Sequence, residues 1–300
     1  MAIAVSAARR PATALAALVL GSIAIGASPI FVRLSELGPV ATAFHRMLWA
    51  LPLLYVWMRV ERASLPEFGL DRRDMRSIAL CGILFVGDLA FWHWSILRTS
   101  VANATLFANF SPIVVTVGAW AFLNERIKLR FLVGMILSLG GAALLVGSSL
   151  EFGAGHVVGD AYGLVTALFF GSYMVALAAL RTRVPAATVM FYSSVVTCAG
   201  LFVASYLEGE SVLPLTLEGL ALLVGLAWVS QVAGQGLIAF ALGHLPASFS
   251  ALVILIEPLT AAVLGWVLLG EALGTLQFIG GAVVLAGILV ARTRDDVAAA

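Results

Sequence analysis

Apolar runs of about twenty residues follow one another along almost the whole chain, which is the length that a helix needs to cross a bilayer. Of the 300 residues, 62% are hydrophobic and 11% are charged, whereas soluble domains are about 45–50% apolar and about 25% charged. The core of a soluble protein cannot absorb this excess. The runs are apolar on all sides rather than alternating, which favours helices over strands. We therefore expect an all-α integral membrane protein.

Charged residues, glycines and prolines punctuate the apolar runs and divide the chain into ten predicted transmembrane helices. The intervening connections are short, so consecutive helices are expected to be antiparallel neighbours. The predicted spans are 12–34, 39–58, 76–97, 100–122, 128–149, 159–180, 185–207, 217–242, 246–269 and 273–292.

Basic residues are distributed unevenly between the two sides of the predicted bundle. If the N-terminus is cytoplasmic, the cytoplasmic segments hold 14 of the 17 basic residues, whereas the outer segments hold only Arg33 and Arg98, and Arg46 lies within a span. Such a bias sets orientation in membranes. Both termini are therefore predicted to be cytoplasmic, in a bacterial cytoplasmic (inner) membrane, and the run that follows Arg9 and Arg10 is predicted to be a retained first span.

The two halves of the chain are related by an offset of 146 residues. Each half contains five spans, and because five is odd, the second half must be inverted in the membrane. We predict one repeat over 12–149 and an inverted one over 159–292, an arrangement typical of secondary transporters that work by alternating access, with the site between the halves. The offset pairs Pro112 with Pro258, Trp120 with Trp266, Glu125 with Glu271, Gly134 with Gly280, and Gly141 with Gly287.

Two segments of the repeat carry a family resemblance. ANATLFANFSPIVVTVGAWAFLNERI (102–127) and SFSALVILIEPLTAAVLGWVLLGEAL (248–273) each contain a mid-span proline and a glutamate at the span end, and each precedes a helix with two glycines seven residues apart. They resemble the EamA repeats of the drug/metabolite transporter superfamily. Arg46 also lies where such repeats commonly carry an arginine, although its counterpart is Tyr192. The resemblance implies an exporter of small metabolites, with amino acids, including aromatic and hydrophobic ones, as the favoured substrates.

Other functions stay open at this point. An exporter of cationic or hydrophobic drugs is the main alternative, and an intramembrane enzyme is a remote one. The chain has no HExxH, Walker A or GxSxG-type motif and no Cys/His metal cluster. We therefore expect neither an enzyme nor a cofactor nor a metal site, and transport that is facilitated or coupled to an ion gradient. A monomer is expected, with a homodimer as the alternative.

Three ionisable residues lie deep inside predicted spans, where a charge is costly and marks a functional candidate. At about 1.5 Å per residue, Asp88 lies roughly 18 Å and Glu257 roughly 16 Å from the cytoplasmic end, and Arg46 roughly 20 Å. We expect these three residues to form a substrate site in which Arg46 binds a carboxylate. A structural ion pair, or an outward-directed Arg46, is the alternative.

Polar and aromatic residues extend this predicted site. Asp88, Phe91, Trp92 and Ser95 share one helix face by spacing, and so do Trp228, Gln231, Gln235 and Ile238. Helix packing is an equal alternative for each aromatic residue. His93 lies off the Asp88 face, and is expected either to face the second half or to be a satisfied packing residue. The remaining predicted roles are substrate binding by Asn109 and Tyr173 and ion coupling by Asp88, His93 and Glu257. Pro112 and Pro258 are predicted to bend their helices, either as hinges or, equally, as passive bends.

Labelling of single cysteines tests the predicted orientation. A cysteine at position 72 is expected to react with an impermeant maleimide only from the cytoplasmic side, and one at position 151 only from outside. Labelling of position 72 from outside in intact cells would overturn the orientation.

Overall fold

The first half of the chain forms five helices, three of which are broken. The computed structural model describes residues 11–65, 68–147 and 155–292, and all regular structure in them is helical. A helix that is broken into segments keeps one label for all of its segments. The five helices are α1 (Pro11–Gly26 and Ser28–Leu34), α2 (Pro39–Leu48 and Leu51–Ala63), α3 (Arg72–Ile96), α4 (Val101–Ala108 and Ser111–Phe122) and α5 (Leu129–Val146).

The second half repeats the pattern with its own irregularities. Its helices are α6 (Val157–Arg181), α7 (Ala186–Leu207), α8 (Leu217–Leu226, the π-helical Ala227–Gln235 and Gly236–Ala241), α9 (Ala247–Val253 and Ile256–Leu269) and α10 (Thr275–Ala291). The end of the bundle that holds Pro11 and Arg292 is called the terminal face, and the end that holds Leu34 and Thr275 the opposite face.

The described residues therefore contain ten helices, as the sequence predicts, with eight long and apolar enough to span a membrane by themselves.

Two helix boundaries differ from the predicted spans by several residues. The helix α2 extends past 58 to Ala63, and α3 begins at Arg72 rather than 76. The early start of α3 has a local cause, because the Asp71 side chain accepts a hydrogen bond of 2.6 Å from the Asp74 backbone N–H. This bond lowers the pKa of Asp71 below its usual value. Residues 148–149 of the fifth predicted span lie outside the described residues.

The helices α5 and α10 pack around the axis that relates the two halves. A Cβ atom added to Gly134 would lie 2.5 Å from the Ala291 backbone N, and one added to Gly280 would lie 2.5 Å from the Leu145 backbone N. These two contacts are copies of each other, because the offset pairs Gly134 with Gly280 and Leu145 with Ala291. A Cβ added to Gly141 would likewise lie 2.5 Å from the Val284 backbone N. On the axis, Ser138 donates to the carbonyl of Val284, its own counterpart 146 residues later, at 3.2 Å. Small residues allow this close approach.

The outer surface of the bundle is apolar in both halves. The counterparts Trp120 and Trp266 are 65% and 52% exposed, and Phe122 is 78% exposed. Such an exposed apolar surface would be unstable in water, and fits a lipid environment. The chain is an integral membrane protein.

Glutamates from one half cap helix N-termini of the other half. At the terminal face, Glu61 accepts hydrogen bonds from the backbone N–H groups of Ala187 (2.8 Å) and Thr188 (3.3 Å). At the opposite face, Glu210 accepts from those of Val40 (3.5 Å) and Ala41 (2.6 Å). A carboxylate favours the positive end of a helix dipole, so α2 and α7 are joined at both faces.

A methyl group at Gly141 tests the tight packing of α5 on α10. Gly141→Ala is expected to lower the stability of the purified protein by about 1–3 kcal/mol, because the new Cβ meets backbone atoms that cannot give way. The measurement is thermal unfolding in nanodiscs.

Gly140→Ala is the matched control, because a Cβ at Gly140 meets nothing within 4 Å. This variant is expected to unfold at the wild-type temperature or slightly above it. Equal unfolding temperatures for the two variants would contradict the described packing.

Candidate substrate site

Arg46 lies at the centre of the bundle and is 7% exposed. It belongs to the first segment of α2, which ends at Leu48 because Pro52 has no N–H to donate to the Leu48 carbonyl. Its Nε donates to Gln231 Oε1 at 3.2 Å and its Nη1 donates to Ser28 Oγ at 3.3 Å. Its Nη2 makes no hydrogen bond to the described part of the chain. The guanidinium therefore has two neutral partners and an unused donor group.

The two partners of Arg46 both lie on irregular helices. Ser28 follows the break at Ala27, and Gln231 lies in the π-helical part of α8. Gln231 also connects to α7, because its Nε2 donates to Ser194 Oγ at 3.3 Å. Single π-turns occur frequently at functional sites. Neither Ser28 nor Ser194 stands out in the sequence, since a serine in an apolar run has no distinctive pattern.

Two carboxylates accompany Arg46. Asp88 on α3 and Glu257 on α9 both lie within electrostatic range of the guanidinium. Neither carboxylate makes an ion pair or a hydrogen bond through its side chain within the described residues. Asp88 is buried at 8% exposure, and Glu257 lies in the first turn after the break in α9, where the helix dipole favours a negative charge. Three charged groups thus lie within electrostatic range of one another, and within the described residues no direct ion pair crosses the space between them.

Aromatic rings cover one side of this space. The Arg46 guanidinium lies 5.8 Å from the centroid of Phe85, and the Phe85 ring stacks on Tyr173 with centroids 4.7 Å apart. Tyr173 is 1% exposed and interacts electrostatically with Arg46. Phe85 was missed by the sequence analysis, although it lies three residues before Asp88 and hence on a neighbouring position of the same helix face.

Two residues of the predicted α3 face pack against α6 instead. Phe91 stacks on Phe169 with centroids 5.4 Å apart, and Ser95 Oγ donates to the carbonyl of Gly159 at 2.7 Å. Both therefore have helix-packing partners, which was the open alternative for the aromatic residue. Trp92 is half-buried with its ring edge-on to His93, centroids 5.0 Å apart.

The expected common face of α8 is wrong for Trp228. Trp228 is 51% exposed, whereas Gln231 and Gln235 are 1% and 2% exposed. The physical reason is the π-helical segment Ala227–Gln235, whose wider turn changes the angle between residues three and four apart.

Three predicted site residues bury polar atoms that have no hydrogen-bond partner in the described residues. These atoms are both ring nitrogens of His93, Nδ2 of Asn109 and Oε1 of Gln235. His93 is 2% exposed and interacts electrostatically with Arg46 and with the backbone of Leu89, and both of its expected roles stay predictions. A buried polar atom without a partner costs about 1–3 kcal/mol, so each is a candidate to bind a polar ligand group.

The predicted bends at Pro112 and Pro258 are helix breaks in the structure. α4 is interrupted at Asn109–Phe110 and α9 at Ile254–Leu255, just before each proline. Asn109 and Glu257 lie beside these breaks, where backbone carbonyls lack the proline N–H. The hinge role of both prolines stays a prediction.

Two surface crevices lie elsewhere. One of about 720 Å³ is lined by Trp120, Asn124, Glu125 and Arg126, and one of about 500 Å³ by Tyr55, Arg59, Phe68 and Tyr192. No residue of the predicted substrate site lines either crevice. Among the described residues, no three His, Cys, Asp or Glu side chains form a group that could hold a metal ion.

Ten membrane helices in two inverted halves, with charged residues buried between them, have the architecture of a secondary transporter. The sequence profile of the EamA-like transporter family matches residues 12–147 and 157–293. The chain belongs to this family, part of the drug/metabolite transporter superfamily.

Individual relatives agree with this assignment. The chain is 27% identical to the pseudopaline exporter CntI of Pseudomonas aeruginosa over 84% of this chain and 85% of that one. It is 24% identical to a probable terminal-alkyne amino-acid exporter of Streptantibioticus cattleyicolor over 74% of each. A solved crystal structure has the same fold, with a TM-score of 0.77 and 18% identity over 93% of this chain and 96% of the other.

Because two carboxylates accompany one guanidinium, neutralising the guanidinium and neutralising a carboxylate are expected to change the stability of the protein in opposite directions. Arg46→Gln is expected to destabilise the protein by about 2–3 kcal/mol, because it leaves Asp88 and Glu257 without a buried counter-charge. Glu257→Gln is expected to leave stability unchanged or raise it, because it removes one buried charge that has no direct partner.

Thermal unfolding of both variants in the same detergent measures these effects. A stabilised Arg46→Gln variant, or a Glu257→Gln variant that loses as much stability as Arg46→Gln, would contradict the described electrostatics.

Proposed function

We propose that this protein is a secondary transporter that exports amino acids, including aromatic and hydrophobic ones, across the bacterial inner membrane. One observation carries the proposal. Among the residues that the structure describes, the Nη2 group of the buried Arg46 guanidinium makes no hydrogen bond, and neither Asp88 nor Glu257, both within electrostatic range, is paired with it directly.

The chemistry of an amino acid fits these three groups. An arginine binds a carboxylate with two parallel hydrogen bonds, and such charge-assisted bonds are about twice as strong as neutral ones. The hydrogen-bond partners of Arg46 in the described part of the chain are the neutral Gln231 and Ser28, both beyond 3 Å, so a carboxylate would replace weak bonds with stronger ones. The ammonium group of the same ligand would then neutralise Asp88 or Glu257.

The surroundings of the charged groups support an apolar or aromatic side chain on the substrate. Phe85 and Tyr173 form a stacked pair beside Arg46, and Trp92 lies two turns of helix along from Phe85 on α3. Binding sites for small molecules combine apolar walls with a few fixed polar groups. His93, Asn109 and Gln235 supply additional polar atoms that have no other described partner.

The relatives support the substrate class. One is named a probable amino-acid exporter and another an exporter of pseudopaline. Bacterial relatives and the strong bias of basic residues support an inner-membrane location with both termini cytoplasmic.

Coupling to a proton gradient is part of the proposal. Asp88, His93 and Glu257 are titratable groups around the common space, and the proton that drives transport would bind one of them. The neighbouring Arg46 charge would make that binding depend on whether a substrate carboxylate is present, which links the two events.

An exporter of cationic drugs is the second candidate. Two carboxylates face one guanidinium, so the cluster attracts a positive ligand in addition to a zwitterion. An aromatic wall also suits an organic cation.

Counterflow into proteoliposomes tests the proposal. Liposomes preloaded with one amino acid are expected to accumulate labelled phenylalanine, tryptophan or another apolar amino acid. Arg46→Lys is expected to lower the rate at least tenfold, because an ammonium group cannot form the planar two-bond contact.

Two further variants distinguish coupling to the pH gradient from binding of the amino acid. Asp88→Asn and Glu257→Gln are each compared with wild type, with and without a pH gradient. At least one is expected to keep counterflow while losing stimulation by the gradient. The absence of counterflow for every amino acid, together with uptake of an organic cation, would replace the amino-acid proposal with the drug alternative.

A further inference from the structure

The two halves differ in how tightly they enclose the counterpart helices α4 and α9. Every residue of the first segment of α9, Ala247–Val253, is buried. In its counterpart, the first segment of α4, the side chains from Thr105 to Ala108 are only partly buried. If the two halves had the same conformation, equivalent residues would be buried to the same extent. The difference in burial therefore indicates that the two halves have different conformations.

The packing of these segments locates the asymmetry. The first segment of α9 packs against the second segment of α4, Ser111–Phe122, near the terminal face. The counterpart pair, the first segment of α4 and the second segment of α9, has no comparable packing among the described residues. Between α4 and α9 the bundle is therefore closed at the terminal face and more open at the opposite face.

Glu125 joins the two helices at the closed face. It follows the end of α4 and accepts hydrogen bonds from the backbone N–H of Ala247 at 2.5 Å, and from the backbone N–H and hydroxyl of Ser248 at 3.2 Å and 2.5 Å. These groups form the first turn of α9, the positive end of its dipole. The terminal face cannot open between α4 and α9 while these bonds persist.

Glu271 is the counterpart of Glu125 and is bonded differently. The repeat would place its carboxylate on the backbone N–H groups of 101 and 102, the first turn of α4. Instead Glu271 forms an exposed ion pair with Arg33 at the end of α1. The first turn of α4 is capped locally by Ser100 Oγ, which accepts from the Asn103 N–H at 3.1 Å.

We propose that Glu125 and Glu271 are alternating latches that determine which face of the transporter is open. In the structure, Glu125 caps α9 and closes the terminal face, while Glu271 is held by Arg33. In the other state Glu125 releases α9, and Glu271 leaves Arg33 to cap α4 and close the opposite face. The proposal concerns the conformational cycle and holds for any substrate, so it stands apart from the amino-acid assignment.

A second pair of capping glutamates provides the internal comparison. Glu61 and Glu210 are both engaged, and they join α2 to α7 at the terminal and the opposite face. Because both members of this pair are bonded in the same state, their loss is expected to weaken both states equally. Glu61→Ala is therefore a matched control for Glu125→Ala, with the same chemistry at the same face.

Double electron–electron resonance on the full chain in nanodiscs, without substrate, measures both openings. The background carries Cys81→Ala and Cys198→Ala. Spin labels at 97 and 272 span the opposite face, and labels at 126 and 244 span the terminal face.

In Glu125→Ala the opposite-face pair is expected to shift to shorter distances and the terminal-face pair to longer ones. The ratio of the two populations is expected to change about fivefold, which is the effect of losing one helix cap. Arg33→Ala is expected to shift both pairs in the same directions, because it frees Glu271. Glu61→Ala is expected to leave both distributions unchanged.

If Glu125 and Glu271 cap their helices in alternate states, loss of Glu271 is expected to reverse the distance changes caused by loss of Glu125. Adding Glu271→Ala to Glu125→Ala is expected to return the distributions towards wild type, because both faces then lack a cap. The proposal is overturned if folded Glu125→Ala resembles wild type, if Glu61→Ala produces the same shift, or if Glu271→Ala causes no reversal. If Glu125→Ala does not fold, an unchanged distribution in Arg33→Ala overturns it.

Discussion

A guanidinium buried among apolar helices is the constraint on which the centre of this structure depends. A charge in such surroundings needs compensation within reach, and it comes from α1 and α3 of the first half and from α8 and α9 of the second. Ser28, Gln231 and the ring of Phe85 contact Arg46 directly, while Asp88 and Glu257 act over a longer distance. Within the described residues this compensation leaves the Arg46 Nη2 group without a hydrogen bond, and on this observation we base the proposal that a charged ligand binds there.

The helix breaks around this centre have a related origin. In a bilayer, backbone groups freed by a break must find partners within the protein. The breaks in α1, α2, α4 and α9 each precede a proline, and the π-helical part of α8 carries Gln231 towards Arg46. Irregular backbone is thus confined to the interior between the halves. At the two faces helix N-termini are capped by glutamates from the other half, Glu61 and Glu125 at the terminal face and Glu210 at the opposite face.

The fold could be predicted from the sequence to a large extent, because lipid leaves few choices for apolar runs and the 146-residue offset survives at glycine, proline and glutamate positions. The depth of Arg46, Asp88 and Glu257 could be predicted as well, since it follows from the rise per residue alone. The direction in which each side chain points could not be predicted from the sequence. Phe91 and Ser95 pack on α6, and Trp228 is exposed, because helix rotation and the π-turn depend on contacts between helices distant in the chain. The caps by Glu61 and Glu210 were missed for the same reason.

If Arg46 and the two carboxylates together bind a zwitterion, removal of either charge from the ligand weakens binding, and a series of three ligands shows whether it does. Equilibrium binding to purified protein is compared for phenylalanine, for phenethylamine, which lacks the carboxylate, and for N-acetylphenylalanine, which lacks the ammonium group. We expect phenylalanine to bind at least tenfold more tightly than either analogue, because each analogue leaves one buried charge without a partner. Binding of phenethylamine as tight as that of phenylalanine would contradict it, since Arg46 would then have no part in recognition.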